Sequence, residues 1–290
     1  RASWDADELS LYGRFDFILA KDGTPKILEF NADTPTSLLE ASVIQWQWKE
    51  DVFPECDQFN GIHEGLVQSW KDIFPKKGEI HFAGALENNE DTGTLQYLAS
   101  TAMEVGFSTR VLDMQALDLQ NGRFFDPAGE LVNRCFKLYP WEWMVDESPD
   151  GCLAEMEWLE PIWKLVMSNK AILATLYELF PDSPYVLPCY LSRPRSGLFC
   201  KKPVFSREGH NVSVVDIRDW EEYVRIAETE GDYNTGAYVY QEYVEPTAYS
   251  GRYPVIGSWI IGGEAAGIGI RENRMEVTDN LSEFVPHIIG

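Results

Sequence analysis

Residues 11–31 read as two strands folded on one another, and that pairing fixes what the rest of the chain must accommodate. "LYGRFDFIL" (Leu11 to Leu19) and "KILEFN" (Lys26 to Asn31) are strand-like runs. The segment between them, "AKDGTP", carries Asp22-Gly23, a hairpin signal. In a strand every second side chain shares a face. Arg14 and Asp16 therefore point one way on the first strand, and Glu29 and Asn31 share a face on the second, about 7 Å apart along the backbone. Phe30 points the other way, into a core. A strand running out into solvent would account for a lone Glu-x-Asn. It does not account for four polar groups that an antiparallel hairpin gathers on one patch.

The chain has 290 residues, 44% hydrophobic and 13% aromatic, which is enough for a substantial core in one large or two to three medium domains. It begins at Arg1 without a Met, and a missing N-terminal segment is expected. No apolar run of eighteen residues and no signal peptide is read, so no membrane association is expected. Five scattered cysteines without a CxxC pair fit neither a disulfide framework nor a zinc site, and the four histidines lack metal-ligand spacing. A reducing, cytoplasmic setting follows as the expectation. Acidic residues outnumber basic ones 47 to 24, a net charge of -23. That argues against a nucleic-acid partner. It suits solubility, and it steers cationic ligands.

A helix is expected over Ser37 to Trp48, with Thr36 as its cap. Further on, a helix over Gly61 to Ile73, a strand at 79–86, the polar loop "ENNEDTG", a helix over Thr94 to Val105 and a strand over Thr109 to Leu112 form a βαβ pattern. Glu87, Glu90 and Asp91 follow that strand, where α/β sheets commonly seat ligands. "MSNKAILATLYELF" reads as a helix capped by Ser168 with Lys170 in its first turn, opposing the helix dipole. A lysine so placed suits an anion. Strands are expected at 198–205, at "VSVVDI" and at 237–244, with a helix over Asp219 to Glu230 before the last of these. Two more strands flank the Gly262-Gly263 turn.

"KPVFSREGHNV" places Lys202 at a strand end and Ser206 and Gly209 in the loop after it, a composition that turns backbone N–H groups toward phosphate oxygens. No Walker loop is present, and "GIGIRE" lacks the third glycine of a dinucleotide fingerprint. Asp16, Glu29 and Asn31 offer the oxygen ligands that Mg²⁺ shares with phosphates. Lys170 and Lys202 offer point charges. Together these are the parts of an ATP-dependent ligase.

The sequence resembles the glutathionylspermidine synthase family over nearly its whole length. "LYGRFDF", "ILEFNADTPTSLLEA", "FKLYPWEWM", "SNKAIL", "KPVFSREGHNV" and "GIGIRE" followed by "FVPHI" carry the resemblance. It implies an α/β (α+β) ATP-grasp fold in permuted order. The metal-binding strands would lie in 1–44, an inserted three-layer α/β, pre-ATP-grasp-like substrate domain in 45–160, and the nucleotide-binding lid and core in 161–290. It implies Asp16, Glu29 and Asn31 as magnesium ligands, and Arg14 and Arg207 as catalytic arginines beside the reacting phosphate. Arg14, Asp16, Lys170, Lys202, Gly209 and Arg271 become nucleotide contacts, with Gln241 and Glu242 at an adenine hinge. Thr34, Glu90 and Asp91 become contacts to a glutathione-like substrate. Where characterised synthetases place a threonine, this chain has Leu138. The implied activity is ATP- and Mg²⁺-dependent joining of a carboxylate (glutathione or a small peptide) to an amine such as a polyamine, through an acyl phosphate. The alternative is an ATP-binding protein of this fold without turnover. The implied partners are small molecules only, with the oligomeric state open.

Overall fold

The computed structural model describes residues 1–207, 209–219, 223–231, 233, 236–274 and 282–290. Among the described residues four sheets organise a mixed α/β chain. The first is antiparallel, in the order Glu283–Val285, Glu264–Asn273, Tyr253–Ile261, Tyr12–Leu19, Pro25–Asn31. Its strands come from both ends of the sequence. The expected N-terminal hairpin forms its edge, with Arg14 opposite Asn31 and Asp16 opposite Glu29. Gly23 turns the hairpin at φ +82°, a backbone conformation that glycine adopts without a Cβ penalty.

The second sheet is also antiparallel, running Cys189–Tyr190, Tyr238–Glu242, Gly197–Pro203, Ser213–Ile217, Tyr223–Glu228. Its last strand replaces the helix expected over Asp219 to Glu230, of which residues 220–222 lie outside the described set. The reason is the neighbour. Tyr223, Val224 and Ile226 are β-formers, and Tyr223–Glu228 finds ladder partners in Ser213–Ile217.

The third sheet is parallel: Ser108–Asp113, Glu79–Gly84, Arg134–Leu138, Glu157–Leu159. The helix Asn89–Glu104 makes the crossover between the first two strands in sequence. It starts earlier than expected because the Asn88 side chain accepts the Glu90 N–H. The "ENNEDTG" segment is therefore mostly first turn, and Glu90 and Asp91 belong to a helix rather than a loop. The main core lies between this sheet, its helices and the first sheet, around Trp70, Phe82, Phe136, Tyr12 and Trp259. Leu138 is packed within it.

One helix starts where expected but with an unexpected turn, and another start differs from expectation. The carbonyl of Thr36 accepts from Arg14 Nη1, and the helix that begins at Leu38 passes through a π-helical turn, Glu40–Ile44, into Gln45–Val52. Ser168 ends a short helix, Lys164–Ser168, rather than capping one. Asn169 makes the local bond instead, its side chain accepting from Ala171 N–H, and the helix Ile172–Leu179 follows. Lys170 thus sits just before that helix. The "FVPHI" segment is structural: His287 Nε2 accepts from Phe59 N–H and its Nδ1 meets Gln45 Oε1. Among the described residues no helix is long and apolar enough to cross a membrane.

Candidate active site

The hairpin places its four polar side chains as neighbours across two strands. Arg14 grips Asp16 from above with two nitrogens, Nε to Oδ1 at 2.6 Å and Nη2 to Oδ2 at 3.0 Å. Asn31 Nδ2 lies 3.3 Å from both Asp16 Oδ2 and Glu29 Oε1, so it joins the two carboxylates. Arg271, from the strand Glu264–Asn273, adds Nη2 to Asp16 Oδ2 at 2.8 Å. Lys170 reaches Glu29 Oε2 at 3.1 Å. Gly257 stands opposite Asp16 on the other neighbouring strand, and a Cβ there would meet Arg14 Cδ at 2.7 Å. The absence of a side chain at 257 is what leaves Arg14 its path across the sheet.

These groups line one cavity of about 380 Å³ between the first and second sheets. Arg14, Asp16, Glu29, Asn31, Thr34, Glu90, Lys170, Lys202, Arg207, Gly209, Gln241, Glu242 and Arg271 all face it. Of the residues singled out from sequence, Glu87, Asp91, Leu138 and Ser206 are not on the cavity wall. Glu40, from the π-helical turn, joins the wall and was not anticipated. Five basic and five acidic side chains meet there, in a chain where acids outnumber bases 47 to 24. The wall is thus enriched in positive charge relative to the molecule, as an anionic ligand requires.

Burial works to raise the Glu29 pKa, but the ammonium groups of Lys170 and Lys202 outweigh it and lower the value from 4.5 to about 2. A carboxylate whose folded pKa is depressed adds stability above its unfolded pKa and loses it as the pH falls toward the folded value. Glu29 should therefore stabilise the fold at neutral pH and cease to do so between about 4.5 and about 2. Urea midpoints measured across that window should fall less steeply in Glu29→Gln than in the parent. Parallel curves would exclude this contribution. At Arg14, burial opposes the charge, yet Asp16 outweighs it and holds the guanidinium above its ordinary pKa. At Arg271, burial together with the Arg14 charge lowers the pKa in spite of Asp16.

Lys202 is buried and donates to Gln241 Oε1 at 2.6 Å and to the Leu28 carbonyl at 3.1 Å. Gln241 Nε2 donates onward to the Ile27 carbonyl at 2.8 Å. The Gln241 side chain therefore ties the second sheet to the hairpin and orients Lys202. Glu242 N–H is taken by the Pro188 carbonyl at 2.7 Å. Arg207, in the loop after Gly197–Pro203, bonds Thr34 Oγ1 at 2.6 Å and Glu142 Oε1 at 2.7 Å. Glu142 was not anticipated, although it stands in the quoted "FKLYPWEWM".

Beneath this wall lies a buried pair. Lys137 Nζ donates to Asp33 Oδ1 at 2.6 Å, and Asp33 Oδ2 accepts Trp141 N–H at 2.9 Å. Neither residue was singled out from sequence, although both sit in quoted motifs. The pair is the link between the end of the hairpin and the third sheet.

The donor set fits a hard divalent cation. Asp16 and Glu29 bring carboxylate oxygens to either side of the Asn31 amide, whose Nδ2 now donates to both and whose oxygen a half-turn of the amide would present in its place, and oxygen donors of this kind are what Mg²⁺ takes when phosphates complete its shell. Among the described residues no cluster of three or more His, Cys, Asp or Glu stands placed to hold a metal.

A family model described as "Glutathionylspermidine synthase preATP-grasp" matches residues 1–290. A Haemophilus influenzae protein named "Putative acid--amine ligase" is 38% identical over 98% of this chain and 76% of its own length. Trypanothione synthetase of Crithidia fasciculata is 28% identical over 98% of this chain and 48% of its length, so the chain spans about half of that relative. Among solved structures, a Methylobacillus flagellatus protein described as "Putative gamma-glutamylcysteine synthetase" superposes with a TM-score of 0.67. It covers 99% of this chain and 82% of its own, at 10% identity, a likeness of fold alone.

Proposed function

The chain belongs to the glutathionylspermidine synthase family, beside proteins named acid–amine ligase and trypanothione synthetase, and we propose that the cavity joins a substrate carboxylate to an amine at the expense of ATP and Mg²⁺. The observation that carries this is the meeting of Arg14, Asp16, Glu29, Asn31, Lys170, Lys202, Arg207 and Arg271 on one wall, drawn from both ends of the sequence. In the same reading the fold is a permuted ATP-grasp. Residues 1–44 and 161–290 supply the metal strands and the nucleotide side, and 45–160 are the inserted substrate domain. A first sheet built from strands 12–31 and 253–285 supports that division.

Asp16, Glu29 and Asn31 would hold the cation, which when bound offsets charge on the phosphates it touches. The protein's own groups do the rest. Lys170 and Lys202 pair with phosphate oxygens, releasing Glu29 from Lys170. Arg14 and Arg207 stand over the transferring phosphoryl group and stabilise its developing charge. The substrate carboxylate takes that group from ATP, with ADP leaving. The amine nitrogen then attacks the acyl carbon, phosphate departs and the amine gives up a proton. No enzyme nucleophile is needed.

The first substrate is glutathione or another small peptide, seated near Thr34, Glu90 and Asp91, and the second is a cationic amine such as a polyamine. Glu90 on the cavity wall supports the placement. The test is ADP release from glutathione or simple peptides, each with and without spermidine, with mass spectrometry of the products. An amide product formed only when acid, amine and ATP are all present is expected. ADP release that ignores the amine would overturn the ligase reading. Turnover with an unrelated acid alone would overturn the peptide.

Lys202→Met provides a further check. Removing the ammonium should weaken ATP binding about 10- to 100-fold while the protein stays folded. The freed Gln241 Oε1 and Leu28 carbonyl should cost about 1–3 kcal/mol of stability. Calorimetric titration of ATP alongside urea unfolding measures both. An unchanged affinity would remove Lys202 from the nucleotide site.

A further inference from the structure

Arg207 is held at both ends of its guanidinium by residues that are themselves fixed to one another. The Trp141 N–H donates to the buried Asp33 carboxylate at 2.9 Å, and Lys137 locks the other oxygen of that carboxylate. Thr34 follows Asp33 directly, and Glu142 follows Trp141 directly. The single buried contact between 33 and 141 therefore sets the spacing between the Thr34 hydroxyl and the Glu142 carboxylate. Arg207 comes to this seat from a different sheet, on the loop after Gly197–Pro203. Its Nη1 meets Thr34 Oγ1 at 2.6 Å and its Nη2 meets Glu142 Oε1 at 2.7 Å. The pair is largely screened from water, with 28% and 22% of the two side chains exposed. The Trp143 ring lies 5.7 Å from the guanidinium carbon. Arg207 Nε is buried and meets no partner among the described residues.

We propose that Glu142 is a positioning residue: with Thr34 it takes up the terminal nitrogens of Arg207 and so fixes the loop that carries this cavity-lining guanidinium. A carboxylate suits this task better than a neutral acceptor because its bond to a guanidinium is charge-assisted and directional. The arrangement also places the arginine's holder on the same short segment as the peptide-side residue Thr34. A ligand that seats against Thr34 then acts on the guanidinium that faces the phosphates. The activity part of this inference rests on the ligase reading above, and the geometric part does not.

The experiment uses the whole chain with Glu142→Gln, Glu142→Ala, Arg207→Ala and the Arg207→Ala/Glu142→Ala double variant. The first readout needs no activity: amide hydrogen exchange of the 199–214 segment in the ligand-free protein. Exchange after Pro203 should be several-fold faster in both Glu142 variants, with Gln as the variant that preserves volume. The second is steady-state kinetics. Loss of positioning should lower kcat about 10- to 100-fold with KM for ATP within about twofold. Glu142→Ala should add no further loss in the Arg207→Ala background, since the two act as one unit. Unchanged exchange overturns the proposal. So does an additive double variant, or a fall in ATP affinity that matches the fall in kcat. If no acid and amine pair supports turnover in the parent, the ligase reading fails and the exchange result alone decides the role of Glu142.

Discussion

Asp16→Asn should lower ADP-releasing turnover by about 10³-fold, a loss that saturating nucleotide does not restore. Asp16 is where three functions meet. Its oxygens hold Arg14 at 2.6 and 3.0 Å and Arg271 at 2.8 Å, and Asn31 reaches it at 3.3 Å. Asparagine keeps the shape but removes the charge that two guanidinium groups share and that the proposed cation would need. The substitution also leaves the buried Arg14 without its counter-charge, at about 3–5 kcal/mol. Unfolding and activity therefore have to be measured together. The informative outcome is a folded variant that is inert at temperatures well below its melting point. Turnover within tenfold of the parent in such a protein would show that Asp16 is a structural partner of Arg14 and no ligand to metal.

Lys137→Met should cost about 3–5 kcal/mol of unfolding free energy, read from urea denaturation. Lys137 and Asp33 are both essentially inaccessible, at 0% and 1% exposure. Burial depresses the Lys137 pKa and Asp33 opposes that shift. Removing the ammonium leaves a carboxylate in the core with, among the described residues, the Trp141 N–H to meet it. The double change Lys137→Met/Asp33→Asn should recover part of the loss, because replacing both charges of a buried pair costs less than breaking it. A loss below about 1 kcal/mol in the single variant would mean that water or a relaxed backbone reaches Asp33. The pair also sets the spacing between Thr34 and Glu142, so the single variant should loosen the Arg207 loop as Glu142→Ala does.

What the sequence determined by itself is the hairpin and its face. Alternation on either side of Asp22-Gly23 sets Arg14 with Asp16 and Glu29 with Asn31 on shared faces of an antiparallel pair; the register that puts Arg14 across from Asn31 and Asp16 across from Glu29 also depends on a bulge after Asp16. The signal is local, because strand periodicity and turn chemistry act over a few residues. The same holds for the Gly262-Gly263 turn and for Lys202 at its strand end. The helix expected after Asp219 failed for a related reason. Whether Tyr223–Glu228 is helix or strand depends on the ladder offered by Ser213–Ile217, and a partner in space leaves no mark on the segment itself. Glu40, Glu142, Gly257 and the Asp33–Lys137 pair were likewise decided by tertiary structure alone. Each acts on a residue far away in the chain: Gly257 by clearing room for Arg14, Lys137 by neutralising Asp33, Glu142 by holding Arg207. Their side chains are ordinary until three sheets bring them together, and burial at that meeting is what turns a common Lys, Glu or Gly into a group the site depends on.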